Sequence, residues 1–219
     1  MMKLKLFILL LIIPAFSNAQ VSFKVFTNPS YTYYNNTEFR CPVIKNSIGV
    51  NTSFSKKEKI KYWFGINLVN RGWKDEFSEP VKSVIKWNFL YLELPFIMEI
   101  KLIDLSSGDL YLETGLAHGI LLKHTKENED KSVDLLNAVH GDFSPSNLLA
   151  ETSVYLGLGY KYHVDYNFLS SIEIQPNYYL QMYNFNPACK SGEYAHYLYT
   201  KKIQSVGVKI IFNLKINNN

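Results

Sequence analysis

Between Leu90 and Lys101 the chain alternates without a break. Leu90, Leu92, Leu94, Phe96, Met98 and Ile100 make one apolar face, and Tyr91, Glu93, Pro95, Ile97, Glu99 and Lys101 the other, mixed one. A period of two over a dozen residues predicts a strand with one greasy and one polar side. Its length suits a tilted strand that crosses a bilayer, which needs about 9–11 residues.

The same pattern recurs along the chain. It starts with Val21, Phe23 and Val25 against Ser22 and Lys24, and Asn28-Pro29-Ser30 is expected to end that run. Further strands are predicted at about 44–54, 60–71, 110–123, 153–162, 168–182 and 205–215. Eight strands result. Gly72 to about Ser83 and Thr125 to about Leu149 read as long loops, the second with a short helix at Val133 to Val139. Long and short connections alternate, as expected of an outer-membrane barrel with short periplasmic turns. The predicted fold is all-β, an eight-stranded antiparallel up-and-down transmembrane barrel.

Three features place the apolar face toward lipid. Gly49, Gly65, Gly115, Gly119, Gly157, Gly159 and Gly207 all fall on the polar face, where a narrow eight-stranded interior favours small residues. That face also carries both signs of charge. Lys24, Lys61, Arg71, Glu93, Glu99, Lys101, Glu113, Glu151, Lys161, Glu173 and Lys209 are the candidate lumen network, since buried charge must be paired. Phe54, Tyr62, Tyr160, Tyr162, Phe168 and Phe212 gather at the short-turn end, as an interfacial aromatic girdle does. Pro95 and Pro176 each remove a ladder donor, and a bulge is expected at each.

Composition agrees with this reading. Of 219 residues 15% are aromatic, with 16 Tyr and 14 Phe, which favours strands and membrane interfaces. Residues 1–19 read as a secretory signal: Lys3 and Lys5, an apolar run from Leu6 to Ile13, and Ser17-Asn18-Ala19 before Gln20. Residues 20–219 then form the barrel domain. Cleavage would leave 21 basic against 19 acidic residues, a net +2 instead of +4, and no basic face for nucleic acid.

The Tyr91-Leu92-Glu93-Leu94-Pro95 run, the Tyr111-Leu112-Glu113-Thr114-Gly115 strand and the closing Val206-Gly207-Val208-Lys209 strand resemble the PorT-like outer-membrane β-barrel proteins of Bacteroidota. That resemblance implies the barrel and its location, with the molecular role unassigned. The Asn217-Asn218-Asn219 ending departs from the terminal aromatic common in such barrels.

Cys41 and Cys189 lie in the first and last long connections, which rise from neighbouring strands in a closed barrel, and a disulfide is expected in an oxidising compartment. His140-Gly141-Asp142-Phe143-Ser144, His118 and His124 are the candidates for lipid-modifying catalysis, but their spacing shows no nucleophile, base and orienting group together. No cofactor motif or metal-ligand spacing is present. The function expected is a non-enzymatic structural or binding platform in outer-membrane lipid, with a filled lumen and a possible envelope or extracellular protein partner at its loops. The alternatives are a soluble secreted lipocalin-like barrel around a small apolar ligand, and a lipid-modifying enzyme.

Overall fold

A computed structural model describes residues 21–34, 40–54, 59–77, 83–128, 150–164, 166, 168–185 and 203–214. Nine strand segments follow in order: β1 (Val21–Tyr34), β2 (Arg40–Cys41), β3 (Val43–Phe54), β4 (Ile60–Phe77), β5 (Ser83–Leu105), β6 (Gly108–Asn128), β7 (Ala150–His163), β8 (Leu169–Phe185) and β9 (Ile203–Leu214). β2 precedes β3 by one residue, Pro42, and both pair with β4, so the two form one interrupted stave. Every neighbouring pair is antiparallel. β1 pairs with both β3 and β9, and β4 pairs with β5, which closes the sheet into an eight-staved barrel.

Alternation decides what faces where. Leu94, Phe96, Leu116, Ile120, Leu156, Leu158, Val206, Val208 and Ile210 are exposed on the outside. Their strand neighbours Glu93, Ile97, Ala117, Tyr155, Ser205, Lys209 and Ile211 are buried within. The small apolar core, Trp63, Ile97 and Tyr155 with Tyr179 against it, therefore sits inside the barrel among polar groups. An outer surface this apolar, around a charged interior, is the reverse of a water-soluble barrel. It matches a wall solvated by lipid tails.

The strands are longer than the sequence pattern suggests. β1 runs through Asn28-Pro29-Ser30 without ending, and β4 and β5 extend into the stretch read as a loop, pairing Trp73 with Trp87 and Phe77 with Ser83. Ladder hydrogen bonds and aromatic stacking sustain this extension despite its charged side chains. Trp73 is buried and stacks on Trp87 and Phe89, with ring centroids 6.0 and 5.1 Å away, rather than standing exposed in a loop. β6 likewise continues to Asn128. The expected helix at 133–139 lies outside the described residues, as does the expected signal segment.

The prolines make no bulges. Pro95 stays in register with Ala117 on β6 and Pro176 with Val208 on β9. On their other sides the pairing lapses briefly and resumes in the same register, between Phe64–Phe96 and Asn67–Glu93, and between Gly157–Asn177 and Tyr160–Ile174. β1 shows the same local gap toward β9 around Pro29. A missing N–H thus opens one ladder locally without inserting a residue. The register shifts fall elsewhere, at Leu90/Tyr91, Lys101/Ile103, Thr152/Ser153 and Leu169/Ser171.

Gly159 shows why the lumen needs glycine. A Cβ there would lie 2.3 Å from the ring of Tyr111, which is buried and donates a hydrogen bond to Glu173. The ring has nowhere to retreat. Gly159→Ala is expected to destabilise the barrel by about 1–3 kcal/mol through overpacking, read as a lower urea midpoint in detergent.

Candidate functional site

Inward-facing charges from seven staves meet in the lumen and sort into two clusters. The one nearer the short turns holds three carboxylates and three ammonium groups. Glu99, Glu113 and Glu173 place carboxylate oxygens within 4.8 Å of one another. Lys161 bridges Glu99 at 2.8 Å and Glu173 at 3.0 Å. Lys24 pairs with Glu113 and lies 3.7 Å from Glu99, and Lys209 reaches Glu113 at 3.5 Å. The charges balance, and each carboxylate has an ammonium partner, so the three acids do not form a free metal-binding set. Neutral donors complete the shell: Trp63 Nε1 to Glu99 at 2.8 Å, Tyr111 Oη to Glu173 at 2.6 Å, and Asn213 to Glu173.

The second cluster lies toward the other end. Arg71 donates to both Glu93 and Glu151, Tyr179 Oη donates to Glu93 at 2.6 Å, and Gln181 donates to Glu151. The Arg71 guanidinium lies 4.0 Å from the centroid of the Tyr179 ring. Aromatic faces also carry the lysines, with Lys24 4.1 Å from Trp63 and Lys209 4.2 Å from Tyr155. Ring quadrupoles and hydrogen bonds replace part of the hydration these cations lose on burial.

The eleven charged residues expected to form one lumen network thus divide between two clusters and two separate positions. Arg71, Glu93 and Glu151 make the second cluster, while Lys24, Glu99, Glu113, Lys161, Glu173 and Lys209 belong to the first. Lys101 sits apart at the short-turn end, bridging Asp109 at 3.1 Å and Asp104 at 3.2 Å. Lys61, opposite Glu99 in register, makes no ion pair among the described residues.

Tyr111, Tyr155 and Tyr179 escaped the sequence reading, although their odd-numbered positions share a face with the lumen charges on β6, β7 and β8. Parity was the signal. Tyr155 links the first cluster to Gln175 by donating to its side-chain carbonyl, while accepting from Lys209 at 2.7 Å.

On the outside, Tyr62, Tyr162, Phe168 and Phe212 are exposed at the short-turn end. A second aromatic group stands at the far end. Tyr31 is exposed, and the Tyr33 and Tyr178 hydroxyls both donate to Gln204 Oε1, at 2.7 and 2.9 Å. Ten residues separate Phe168 from Tyr178, which spans about 25 Å along the barrel axis for a strand tilted as membrane strands are. That is the height of an outer-membrane apolar band.

Cys41 pairs with Lys74 in the β2–β4 ladder, whereas Cys189 lies outside the described residues. His118 points outward, 3.1 Å from Thr152 Oγ1. His140, Asp142 and Ser144 also lie outside the described residues.

No protein-family model matches the chain, and no curated protein matches it. Solved structures do. The attachment invasion locus protein Ail of Yersinia pestis is 11% identical over 89% of this chain and 99% of its own, with a TM-score of 0.44. Neisserial surface protein A is 8% identical over 88% and 98%, with a TM-score of 0.43. Outer membrane protein OprG from Pseudomonas aeruginosa is 10% identical over 90% and 97%, with a TM-score of 0.47. At such identities and scores these are likenesses alone, and the closed antiparallel barrel with its apolar exterior stands on the chain's own register and burial.

Proposed function

We propose that this chain is an outer-membrane β-barrel of the PorT-like kind, delivered by a cleaved signal peptide, that serves as a non-enzymatic structural or binding platform. One observation carries the reading: buried ion pairs reach across the lumen at two levels inside a wall whose outer face is apolar. Side chains committed to one another in this way favour a filled lumen over an open pore, in keeping with the narrow interior of eight strands. Binding then belongs to the segments beyond the rim, where an envelope or extracellular protein is the partner proposed. A Cys41–Cys189 bridge would tie the β2 end of its stave to the last of these segments.

Two details speak against catalysis. His118, a candidate base on the β6 wall, has Thr152 as its hydrogen-bond partner rather than a carboxylate. The lumen acids are held by lysine and arginine rather than left poised for proton transfer. An interior lined by Lys24, Glu113 and Glu173 also makes a poor pocket for a small apolar ligand.

The test is fractionation followed by gels with and without boiling. The chain should enter the outer-membrane fraction, need detergent for extraction, and migrate differently once boiled. A soluble, unshifted chain would overturn the reading. The acyl and phosphate pattern of membrane lipids should also be the same in cells with and without the protein; an altered pattern would make it a lipid-modifying enzyme instead.

A further inference from the structure

The lumen holds a cavity of about 40 Å³ whose wall includes Ser30, Ser47, Asn67, Arg71, Glu93 and Lys209. It therefore touches members of both ion-pair clusters. Ser30, Ser47 and Asn67 are each more than nine-tenths buried, and Asn67 Oδ1 has no hydrogen-bond partner among the described residues. Asn67 stands directly opposite Glu93 in the β4–β5 ladder, so an amide carbonyl lies beside a carboxylate. Among the described residues, the two donors that reach Glu93, from Arg71 and Tyr179, go to the same oxygen, Oε1. Acceptors here outnumber the donors that reach them.

A buried acceptor calls for a donor, and a polar cavity of this size supplies one as water. Each water needs roughly 10–15 Å³ of such space and two to four polar partners. A metal ion is disfavoured because Arg71 and Lys209 already put two positive charges on the wall. We infer that the cavity is an internal hydration site, holding about three ordered waters that donate to Asn67 Oδ1 and Glu93 and join the hydroxyls of Ser30 and Ser47. These waters connect the Arg71 cluster to Lys209 through hydrogen bonds that the side chains do not make directly.

The test is water-to-protein magnetisation transfer by NMR on the labelled, full barrel in lipid bilayers. Transfer is expected at the side chains of Asn67 and Ser47, and it should stay unchanged when sodium replaces potassium at fixed ionic strength. In S47A/N67L the transfer at Glu93 should fall at least several-fold, while the boiling-dependent gel shift remains. Absence of transfer at Asn67 and Ser47 in the unaltered protein would mean a dry cavity and overturn the inference. Asn67 and Glu93 signals that move with the cation supplied would make it an ion site and overturn it too. The unaltered protein decides both points even if the double variant fails to fold.

Discussion

Replacing Glu113 with alanine is expected to lower the unfolding free energy by about 3–5 kcal/mol, the cost of leaving buried charge without its partner. Glu113 is fully buried and holds Lys24 on one side and Lys209 on the other. Removing it leaves three ammonium groups against Glu99 and Glu173 in the buried lumen. The loss would appear as a lower midpoint in urea unfolding followed by tryptophan fluorescence, because Trp63 lies against Lys24 in the same cluster. A second change makes the cause identifiable. Lys24→Met in the Glu113→Ala background leaves Lys161 and Lys209 against Glu99 and Glu173, two charges of each sign. Part of the lost stability should then return, although a side chain has been removed. If Lys24→Met adds its own penalty instead, the cluster is held by packing and not by charge balance.

The barrel was legible because its wall repeats one simple rule. Lipid outside and ion pairs inside force every second residue to change character, so the part of β5 from Leu90 to Lys101 shows in the sequence as an unbroken alternation. The rule weakens at the ends. Beyond Arg71 the outward positions of β4 and β5 carry Lys74, Glu76 and Lys86, and apolar alternation fails while the ladder continues to Phe77. Strand pairing there depends on backbone partners and on the Trp73–Trp87–Phe89 stack, neither of which leaves a periodic trace. Prolines misled for a related reason. A bulge is one remedy for a missing donor, but a twisted wall also tolerates a short lapse in one ladder, as at Pro29, Pro95 and Pro176. In the lumen, charge alone marked the site residues. Which cation meets which acid depends on stagger around the barrel, which brings Lys24 of β1 to Glu113 of β6, 89 positions away. Tyr111, Tyr155 and Tyr179 read as ordinary strand aromatics, yet they bury their rings beside the cations and hydrogen-bond the network.

Leu158→Arg tests the other half of the architecture and is expected to cost about 2–4 kcal/mol in a bilayer, the penalty for arginine near the midplane of a barrel's lipid face. Leu158 is 49% exposed on β7, four residues from Tyr162 at the short-turn end and six from Thr152 toward the far rim. Its cross-strand neighbour on β6 is Leu112, so no carboxylate lies directly opposite to receive the new charge. On a protein surrounded by water the same exposed position would accept arginine with a change within about 0.5 kcal/mol. Tyr162→Arg, at the aromatic girdle, supplies the internal comparison. Its side chain can reach the headgroups, and its penalty should fall to about 0–1 kcal/mol. Folding titrations into lipid vesicles would measure both. A large loss at Leu158 with a small one at Tyr162 follows only if the apolar face is solvated by hydrocarbon and the girdle marks its edge. Equal, small losses would mean that water covers the outer face, and the charged interior would then lack the lipid environment that accounts for it.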